Sequence, residues 1–291
     1  MNYAAYIVGQ SAGIFKKAGF DLSLVLTKDA ATAETAVASG QTPIGAITTD
    51  AIAIGHATNP QVAIMLELVS GTPYSLVVDP SIKSVADLRG KTLGASGLAT
   101  ADGGVIRAIL DHYGMTAGTD YSISIAGSPA ARAAALQSHA VIGIAAPQPQ
   151  LALLKDMGFK ELVSATTVPG LASRPFNVLT VNRSWAAKHR SALVAFEKAW
   201  LVATKYIYAN RVKSIAALAD ALATPTDVMT EAYDDWVVSK KIFPITCAVP
   251  LYALQSVINA QIGFGNMQGP GPTPASLMLG GNVCKAAMAK K

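Results

Sequence analysis

The order of apolar and polar residues along the chain switches between two periods. Apolar residues at every second position, as in YSISIAG and RPFNVLTVN, predict strands with one buried face. Apolar residues spaced by three and four, such as Ile106, Ile109 and Leu110, predict amphipathic helices. A helix, a glycine and a strand follow one another at KKAGFDLSLV, DHYGMTAGTDYSISI and KDMGFKELV. This repeated order predicts an α/β fold rather than an all-helical one.

The same patterns give approximate bounds for the elements. Helices are expected at Ala4–Ile14, Ala30–Ala38, Ser184–Asn210 and Val249–Ile262, in the segment that follows Ser128, and in the segment that Thr226 caps. Strands are expected at Phe20–Thr27, Val62–Val69, Tyr121–Gly127, Val141–Pro147 and Arg174–Asn182. After the last of these strands the chain becomes mainly helical, with GPGPTPAS as a loop and a polar tail at the end.

One stretch combines a strand, a loop of small residues and a helix. Its predicted parts are the short helix Val85–Leu88 capped by Ser84, the turn at Gly90, the strand Lys91–Ala95, the loop Ser96–Thr100, and a helix from Ala101 or Asp102. A helix N-terminus offers unpaired N–H groups and the positive end of the helix dipole, which favours a bound anion. The alternative is an ordinary strand–helix unit in which the small residues serve packing. We predict that an anionic or strongly polar group docks on Ser96–Thr100.

The composition excludes several classes of protein. The chain has 291 residues, 51% of them hydrophobic and 14% charged, which is enough for one large or two medium domains. Its net charge of +5 is scattered without a Lys/Arg run, so no nucleic-acid partner is predicted. No apolar run approaches the roughly 18 residues of a membrane span.

The reactive residues show no catalytic or metal-binding pattern. The sequence lacks G-x-S-x-G and H-E-x-x-H motifs, and its four histidines are far apart, so we read them as surface or helix-end residues. We therefore predict no metal, no cofactor and no enzymatic activity. Cys247 and Cys284 form either one disulfide or two inert thiols, and if the protein is exported we expect them to be paired.

Three segments carry a family resemblance. They are AAYIVGQSAGIFKKAGFDLSLV, SGQTPIG, and IKSVADLRGKTLGASG following GTPYSLVV. Together they resemble the substrate-binding proteins of bacterial ABC transporters, above all the sulfonate-, nitrate- and taurine-binding and THI5-like group. The resemblance covers Tyr3–Met278, although Pro43 and Ile142 stand where the family usually has Asp.

The resemblance implies the two-lobed fold of type II periplasmic binding proteins. Each lobe is then a mostly parallel sheet flanked by helices, with a helical C-terminal part. Lobe 1 is expected to comprise residues 1–72 and 178–291, and lobe 2 residues 73–177. The chain is expected to cross between the lobes near Gly71–Tyr74 and near Arg174–Asn177.

The resemblance also implies a function. The protein is expected to be a monomeric solute-binding component that captures a small polar or anionic organic molecule in a cleft by hinge closure and presents it to an ABC permease. The alternative is a THI5-like or related enzyme acting on a pyrimidine precursor or other small heterocycle, with His56 or Asp102 as its titratable group. The family resemblance implies a periplasmic or otherwise exported protein. However, MNYAAYIVGQ lacks the pattern of a signal peptide and begins inside the first family helix. A trimmed chain, a misassigned start codon and a real truncation all remain open.

The residues that the resemblance implies as ligand contacts are Tyr3, Thr48, Thr49, Ser70, Gly71, Thr72, Ser96, Leu98, Ala99, Thr100, Pro147, Gln148 and Asn177. Most follow or precede predicted strands, and several supply hydroxyl or backbone N–H groups. We place Arg174 on the surface near a crossing, the alternative being that it reaches the cleft. We read Asp102 as a first-turn helix acid favoured by the helix dipole, the alternative being a contact with a ligand amine. Trp236 and Tyr252 are expected to pack in the core, the alternative being that they line the cleft.

Overall fold

The chain forms two compact units. The structure, a computed structural model, describes residues 1–281 and 283–289. Unit 1 consists of Met1–Ser70, Arg174–Met229 and the described residues from Tyr233 onward, and unit 2 consists of Gly71–Ser173 with Thr230–Ala232. The exact lobe boundaries given above stay a prediction.

Strands and helices alternate along the chain until Arg174, and helices follow. The strands are β1 (Ile44–Thr48), β2 (Val62–Ser70), β3 (Tyr74–Val78), β4 (Thr92–Ala95), β5 (Ser122–Ile125), β6 (Gly143–Pro147), β7 (Lys160–Ser164) and β8 (Pro175–Asn182). The helices are α1 (Ala4–Ser11), α2 (Ile14–Lys17), α3 (Ala30–Ala38), α4 (Thr49–Gly55), α5 (Ala101–His112), α6 (Pro129–Gln137), α7 (Gln150–Asp156), α8 (Arg183–Lys188), α9 (Arg190–Ala209), α10 (Arg211–Ala221), α11 (Thr226–Tyr233), α12 (Leu251–Gly263), α13 (Pro274–Leu277) and α14 (Val283–Met288).

Unit 1 is built on a three-stranded sheet in the order β1–β8–β2. Its central strand, β8, runs antiparallel to both neighbours. The expectation of a mostly parallel sheet is therefore wrong for this unit, because β1 and β2 run in the same direction but do not pair with each other. One face of the sheet packs Ile64 and Val178 against Leu254 and Ile258 of α12.

Unit 2 is built on a five-stranded mixed sheet in the order β5–β4–β6–β3–β7. Strands β5, β4 and β6 are parallel, whereas β3 is antiparallel to both β6 and β7. Leu93 packs with Ile106 and Ile109 of α5, and Ile144 packs with Leu151 of α7 in a second cluster. Helices thus bury apolar side chains of the sheet in both clusters.

The prediction of a strand at Phe20–Thr27 is wrong. These residues adopt no regular secondary structure, and the exposed fraction is 65% for Val25 and 78% for Leu26. Their alternating pattern creates an apolar face, but a strand also needs a partner for its backbone. Among the described residues, the sheet of unit 1 offers this segment no such partner.

Several predicted helices are interrupted. The helix expected at Ala4–Ile14 ends at Ser11, because Gly13 takes a left-handed φ of 66° before α2 begins. The helix expected at Ser184–Asn210 is divided at His189 into α8 and α9. The helix that follows Pro225 changes from α11 to a π-helical turn at Asp234–Ser239. The polar tail contains α14.

The strand–loop–helix stretch has the predicted form. Ser84 precedes a 3-10 turn at Val85–Leu88, and the backbone N–H of Ser84 donates to the carboxylate of Asp87 at 2.8 Å. Gly90 has a φ of 71°, and α5 begins at Ala101 after the loop Ser96–Thr100. Local capping and turn signals were sufficient to predict these elements.

Two further predictions concern the chain's covalent and membrane character. A disulfide joins Cys247 to Cys284, which decides between the two alternatives left open by the sequence. Within residues 1–281 and 283–289, every helix is too short or too polar to cross a lipid bilayer.

Candidate functional site

In unit 2, most of the predicted site residues lie at one edge of the sheet. Strands β4, β5 and β6 are parallel, so their carboxyl ends meet at the same edge. The loop Ser96–Thr100 follows β4, Gln148 follows β6, and α6 begins at Pro129, soon after β5. Because β3 runs antiparallel and pairs Tyr74 with Pro147, Thr72 lies at this edge as well.

In unit 1, most of the remaining predicted site residues lie at a similar edge of the sheet. Strands β1 and β2 end where β8 begins, with Thr48 opposite Asn177 and Ser70 opposite Pro175. Tyr3 lies apart from them, at the N-cap of α1, which packs against α9 and α10. Burial raises the pKa of Tyr3.

The loop after β4 is fastened to the first turn of α5 by Asp102. The carboxylate of Asp102 accepts hydrogen bonds from the backbone N–H of Ser96 at 2.7 Å and from its hydroxyl at 2.5 Å. The hydroxyl of Thr100 donates to the carbonyl oxygen of Gly97 at 2.7 Å. Both hydroxyl protons are therefore engaged in internal hydrogen bonds, so the two hydroxyl groups keep only their capacity to accept.

A glycine in α5 allows this close contact. A Cβ atom at Gly103 would lie 2.0 Å from the carbonyl oxygen of Gly97 and 3.2 Å from that of Leu98. The loop therefore rests directly on the helix backbone. Leu98, Ala99 and Thr100 are exposed at its tip.

Arg132 is a residue that the sequence analysis missed. It lies on α6, is 4% exposed, and places Nε 3.3 Å from the Asp102 carboxylate. Its Nη1 donates to the carbonyl oxygen of Gly127 at 2.9 Å. The available signal was its position as the sole charged residue of the alanine-rich helix PAARAAALQ, one turn after the capping Ser128. A cation therefore stands beside the loop Ser96–Thr100.

Unit 1 contains a comparable buried pair. Arg174 donates through Nη2 to Asp50, which lies in the first turn of α4, and Gln261 donates to the same oxygen at 2.7 Å. The prediction of a surface position for Arg174 is wrong, since it is 6% exposed. The pairing explains its burial, because a buried cation requires a compensating charge.

Other single-residue predictions have mixed outcomes. Trp236 packs in the core as predicted, with 1% exposure. Tyr252 is 72% exposed, so its predicted core position is wrong. It lies in the first turn of α12, whose buried residues are on another face of the helix. Asp102 occupies the predicted first turn of α5.

Thr49 also has an internal partner. Its side chain is buried, with 1% of the residue exposed, and its hydroxyl donates to the carbonyl oxygen of Pro175, 126 residues away. This bond joins the start of α4 to the start of β8. The hydroxyl proton is thus committed to holding the edge of the sheet together.

Two predicted site residues have buried polar atoms without a partner among the described residues. They are the hydroxyl of Thr72 in unit 2 and the side-chain oxygen of Asn177 in unit 1. The two residues are 1% and 3% exposed. An unsatisfied buried polar group costs about 1–3 kcal/mol, so such groups require an explanation.

The proposed titratable groups of an enzyme are differently placed. Asp102 is held by Ser96 and Arg132 as described. His56 forms the C-cap of α4, and burial, followed by the charge of Arg183, lowers its pKa. Within the described part of the chain, no three His, Cys, Asp or Glu side chains are grouped to hold a metal ion.

Comparison with solved structures establishes the fold. The aliphatic sulphonate-binding protein SsuA of Escherichia coli superposes with a TM-score of 0.79 at 18% identity, covering 98% of this chain and 96% of that protein. The nitrate-binding protein NrtA of Synechocystis PCC 6803 gives 0.79 at 15% identity, covering 95% and 82%. SsuA of Xanthomonas axonopodis pv. citri, bound to MOPS, gives 0.77 at 16% identity, covering 94% and 93%. The fold is the two-lobed α/β fold of periplasmic binding proteins, as predicted.

The sequence comparisons identify a family but no individual relative. No curated protein matches the chain at the sequence level. The family model described as NMT1/THI5 like matches residues 1–214, which is most of the chain. The chain therefore belongs to the NMT1/THI5-like family.

Proposed function

We propose that the protein is the solute-binding component of an ABC importer. In this role it binds one small polar or anionic organic molecule, of the sulfonate, nitrate, taurine or carboxylate type, and presents it to a membrane permease. The observation that carries the proposal is the pair of buried, unpartnered atoms on Thr72 and Asn177, each at the ligand-facing edge expected for its unit. The names of the similar structures, which include sulphonate- and nitrate-binding proteins, support the same role.

The proposed mechanism is capture by hinge closure. The ligand receives hydrogen bonds from the edge residues of both units, and its binding free energy favours the closed arrangement. The thirteen ligand contacts that the family resemblance implies, among them Thr48, Ser96 and Asn177, are proposed as the residues that line the ligand. The protein acts as a monomer in this proposal.

The state of Asp102 favours binding over catalysis. Both oxygens of Asp102 accept hydrogen bonds from Ser96, and the carboxylate lies 3.3 Å from Arg132, so a structural role in holding the loop accounts for this residue. A THI5-like enzyme that uses Asp102 as its base would also need a substrate proton within hydrogen-bond reach of a remaining lone pair. We therefore propose binding without turnover.

The disulfide supports an exported location. Disulfides persist in oxidising compartments such as the periplasm and are rare in the cytosol. The bond between Cys247 and Cys284 thus fits a protein that works outside the cytoplasm.

Native mass spectrometry of the purified protein tests the proposal directly. We expect a retained small molecule in stoichiometric amount. Adding this molecule to the protein at 100 times its dissociation constant should raise the free energy of unfolding by about 2.7 kcal/mol. Thr72→Val should weaken its binding roughly fivefold, since a neutral hydrogen bond contributes about 1 kcal/mol.

A matched control separates binding from folding. Thr92 lies at the opposite end of β4, where its hydroxyl contacts Ser122 at 2.8 Å, so Thr92→Val should leave affinity unchanged. The proposal is wrong if the protein converts the retained molecule to a product in a steady-state assay. It is also wrong if neither a retained molecule nor any small polar solute binds.

A further inference from the structure

The unit 2 edge contains a cation with unused hydrogen-bond donors. Arg132 has five N–H groups and is 4% exposed. One group, on Nη1, donates to Gly127, while Nε lies near Asp102 but is enclosed without a hydrogen-bond partner. Of the guanidinium nitrogens, Nε is the buried one that lacks a hydrogen-bond partner among the described residues. A buried guanidinium usually has most of its donors satisfied, so the arrangement lacks an acceptor.

Asp102 does not fill this need. Its two oxygens are already bonded to the backbone and hydroxyl of Ser96 at 2.7 and 2.5 Å. These short bonds stabilise the carboxylate through neutral donors, and the contact with Arg132 adds a charge at 3.3 Å without a well-formed hydrogen bond. The guanidinium therefore retains the capacity to bind a second acceptor.

Other features of the same edge favour an anion. The N-terminus of α5, a helix of 12 residues, contributes the positive end of its dipole at Asp102. The buried hydroxyl of Thr72 has no partner among the described residues and can donate one more hydrogen bond. The loop Ser96–Thr100 itself offers few free donors, because both of its hydroxyl protons are engaged.

We propose that Arg132 is the residue of unit 2 that recognises the ligand, by binding an oxyanion group, either a carboxylate, a nitrate or a sulfonate. This inference rests on the proposed solute-binding function and names the charged class of its ligand. The planar fork of the guanidinium suits such groups because two N–H donors can meet two oxygens. Recognition is thereby assigned to α6 rather than to the loop Ser96–Thr100 alone.

Calorimetric titration with defined anions tests the proposal. The probes are sodium methanesulfonate, sodium nitrate and sodium acetate, with dimethyl sulfone as an uncharged analogue, all at constant ionic strength. We expect the parent protein to bind at least one anion and not the sulfone. Arg132→Gln should weaken that binding about 10- to 100-fold, and Arg132→Lys by less, because Lys keeps the charge but loses the fork.

Two more variants separate recognition from folding. Asp102→Asn combined with Arg132→Gln removes both charges, so the fold is not left with an unpaired buried carboxylate. Lys91→Gln removes an exposed cation at the other end of β4 and should bind like the parent. The proposal predicts that the double variant folds and still fails to bind the anion.

Three results would overturn the inference. If the double variant binds the anion as tightly as the parent, Arg132 is a counter-ion for Asp102 and no more. The inference is also wrong if the parent binds dimethyl sulfone as tightly as the anions. It is wrong as well if the parent binds none of the three anions. If the parent nevertheless retains an uncharged molecule in native mass spectrometry, the proposed function stands and the assignment of Arg132 alone is wrong.

Discussion

Two adjacent glycines in α5 allow a controlled test of the loop that rests on this helix. A Cβ at Gly103 would lie 2.0 Å from the carbonyl oxygen of Gly97, whereas a Cβ at Gly104 would meet nothing within 4 Å outside its own helix. Both positions are helical, so replacing either glycine with alanine gains about 0.5–1 kcal/mol of helix propensity. The two variants therefore differ mainly by the clash.

The clash sets the expected difference. Overpacking typically costs about 1–3 kcal/mol, and a backbone carbonyl cannot rotate away as the end of a side chain can. Gly104→Ala should be slightly more stable than the parent, and Gly103→Ala should be less stable than Gly104→Ala by about 1–3 kcal/mol. Urea denaturation at equilibrium measures both values, and the slopes should stay equal.

The same pair of variants connects the loop to binding. Gly103→Ala must displace the loop Ser96–Thr100, so it should also weaken the affinity for the retained ligand, while Gly104→Ala should not. Equal stability of the two variants would show that the loop does not rest on α5 as described. The reasoning from this contact would then be refuted.

Three other predictions follow from buried groups and the disulfide. Reducing the bond between Cys247 and Cys284 should destabilise the protein by about 4 kcal/mol, given the separation of 37 residues, and thermal melting with and without reductant will show it. Burial raises the pKa of Glu197 to about 7 from 4.5, so unfolding free energy should fall as pH rises between these values. Glu197→Gln should therefore exceed the parent in stability by about 3 kcal/mol at pH 8 and match it near pH 4.5, and urea melts without this difference would contradict the shift. Thr49→Val should lower stability by about 1–3 kcal/mol, because the carbonyl of Pro175 loses its donor, whereas unchanged stability would argue against that bond.

Elements with strong local signals could be predicted from the sequence. The segment from Ser84 to His112 contains a cap, a glycine turn and a periodic helix, and each signal acts within a few residues. The segment Phe20–Thr27 has an equally clear alternation, yet it forms no strand. Alternation specifies which face is apolar, whereas pairing depends on a partner that a local pattern does not name.

In the candidate site, too, some residues could be predicted from the sequence, whereas others depend on tertiary contacts. Thr72 and Asn177 were predicted through the resemblance, and they carry the unpartnered atoms. Arg132 was missed because its significance depends on Asp102, 30 residues earlier in the chain. The burial of Arg174 likewise depends on Asp50, 124 residues away. Pairings of this kind are set by tertiary structure, which spacing along the chain does not reveal.

The central place of β8 in unit 1 has a consequence for synthesis of the chain. Strand β1 pairs with β8, and the hydrogen bond between Gly45 and Thr180 joins residues that are 135 positions apart in the sequence. Within that sheet, β2 also pairs with β8 alone. The strands of unit 2, in contrast, all lie between Tyr74 and Ser164. The sheet of unit 2 can thus be completed first, as the chain emerges.

The sheet of unit 1 cannot form until its middle strand, β8, has been synthesised. At about 5–20 residues per second, roughly 7–27 s pass between the synthesis of β1 and that of β8. During this interval the apolar residues of Val62–Ser70, nearly all buried in the finished protein, have no strand of their sheet to pair with. A nascent chain in this state exposes an unpaired hydrophobic strand, which makes it a natural substrate for a chaperone.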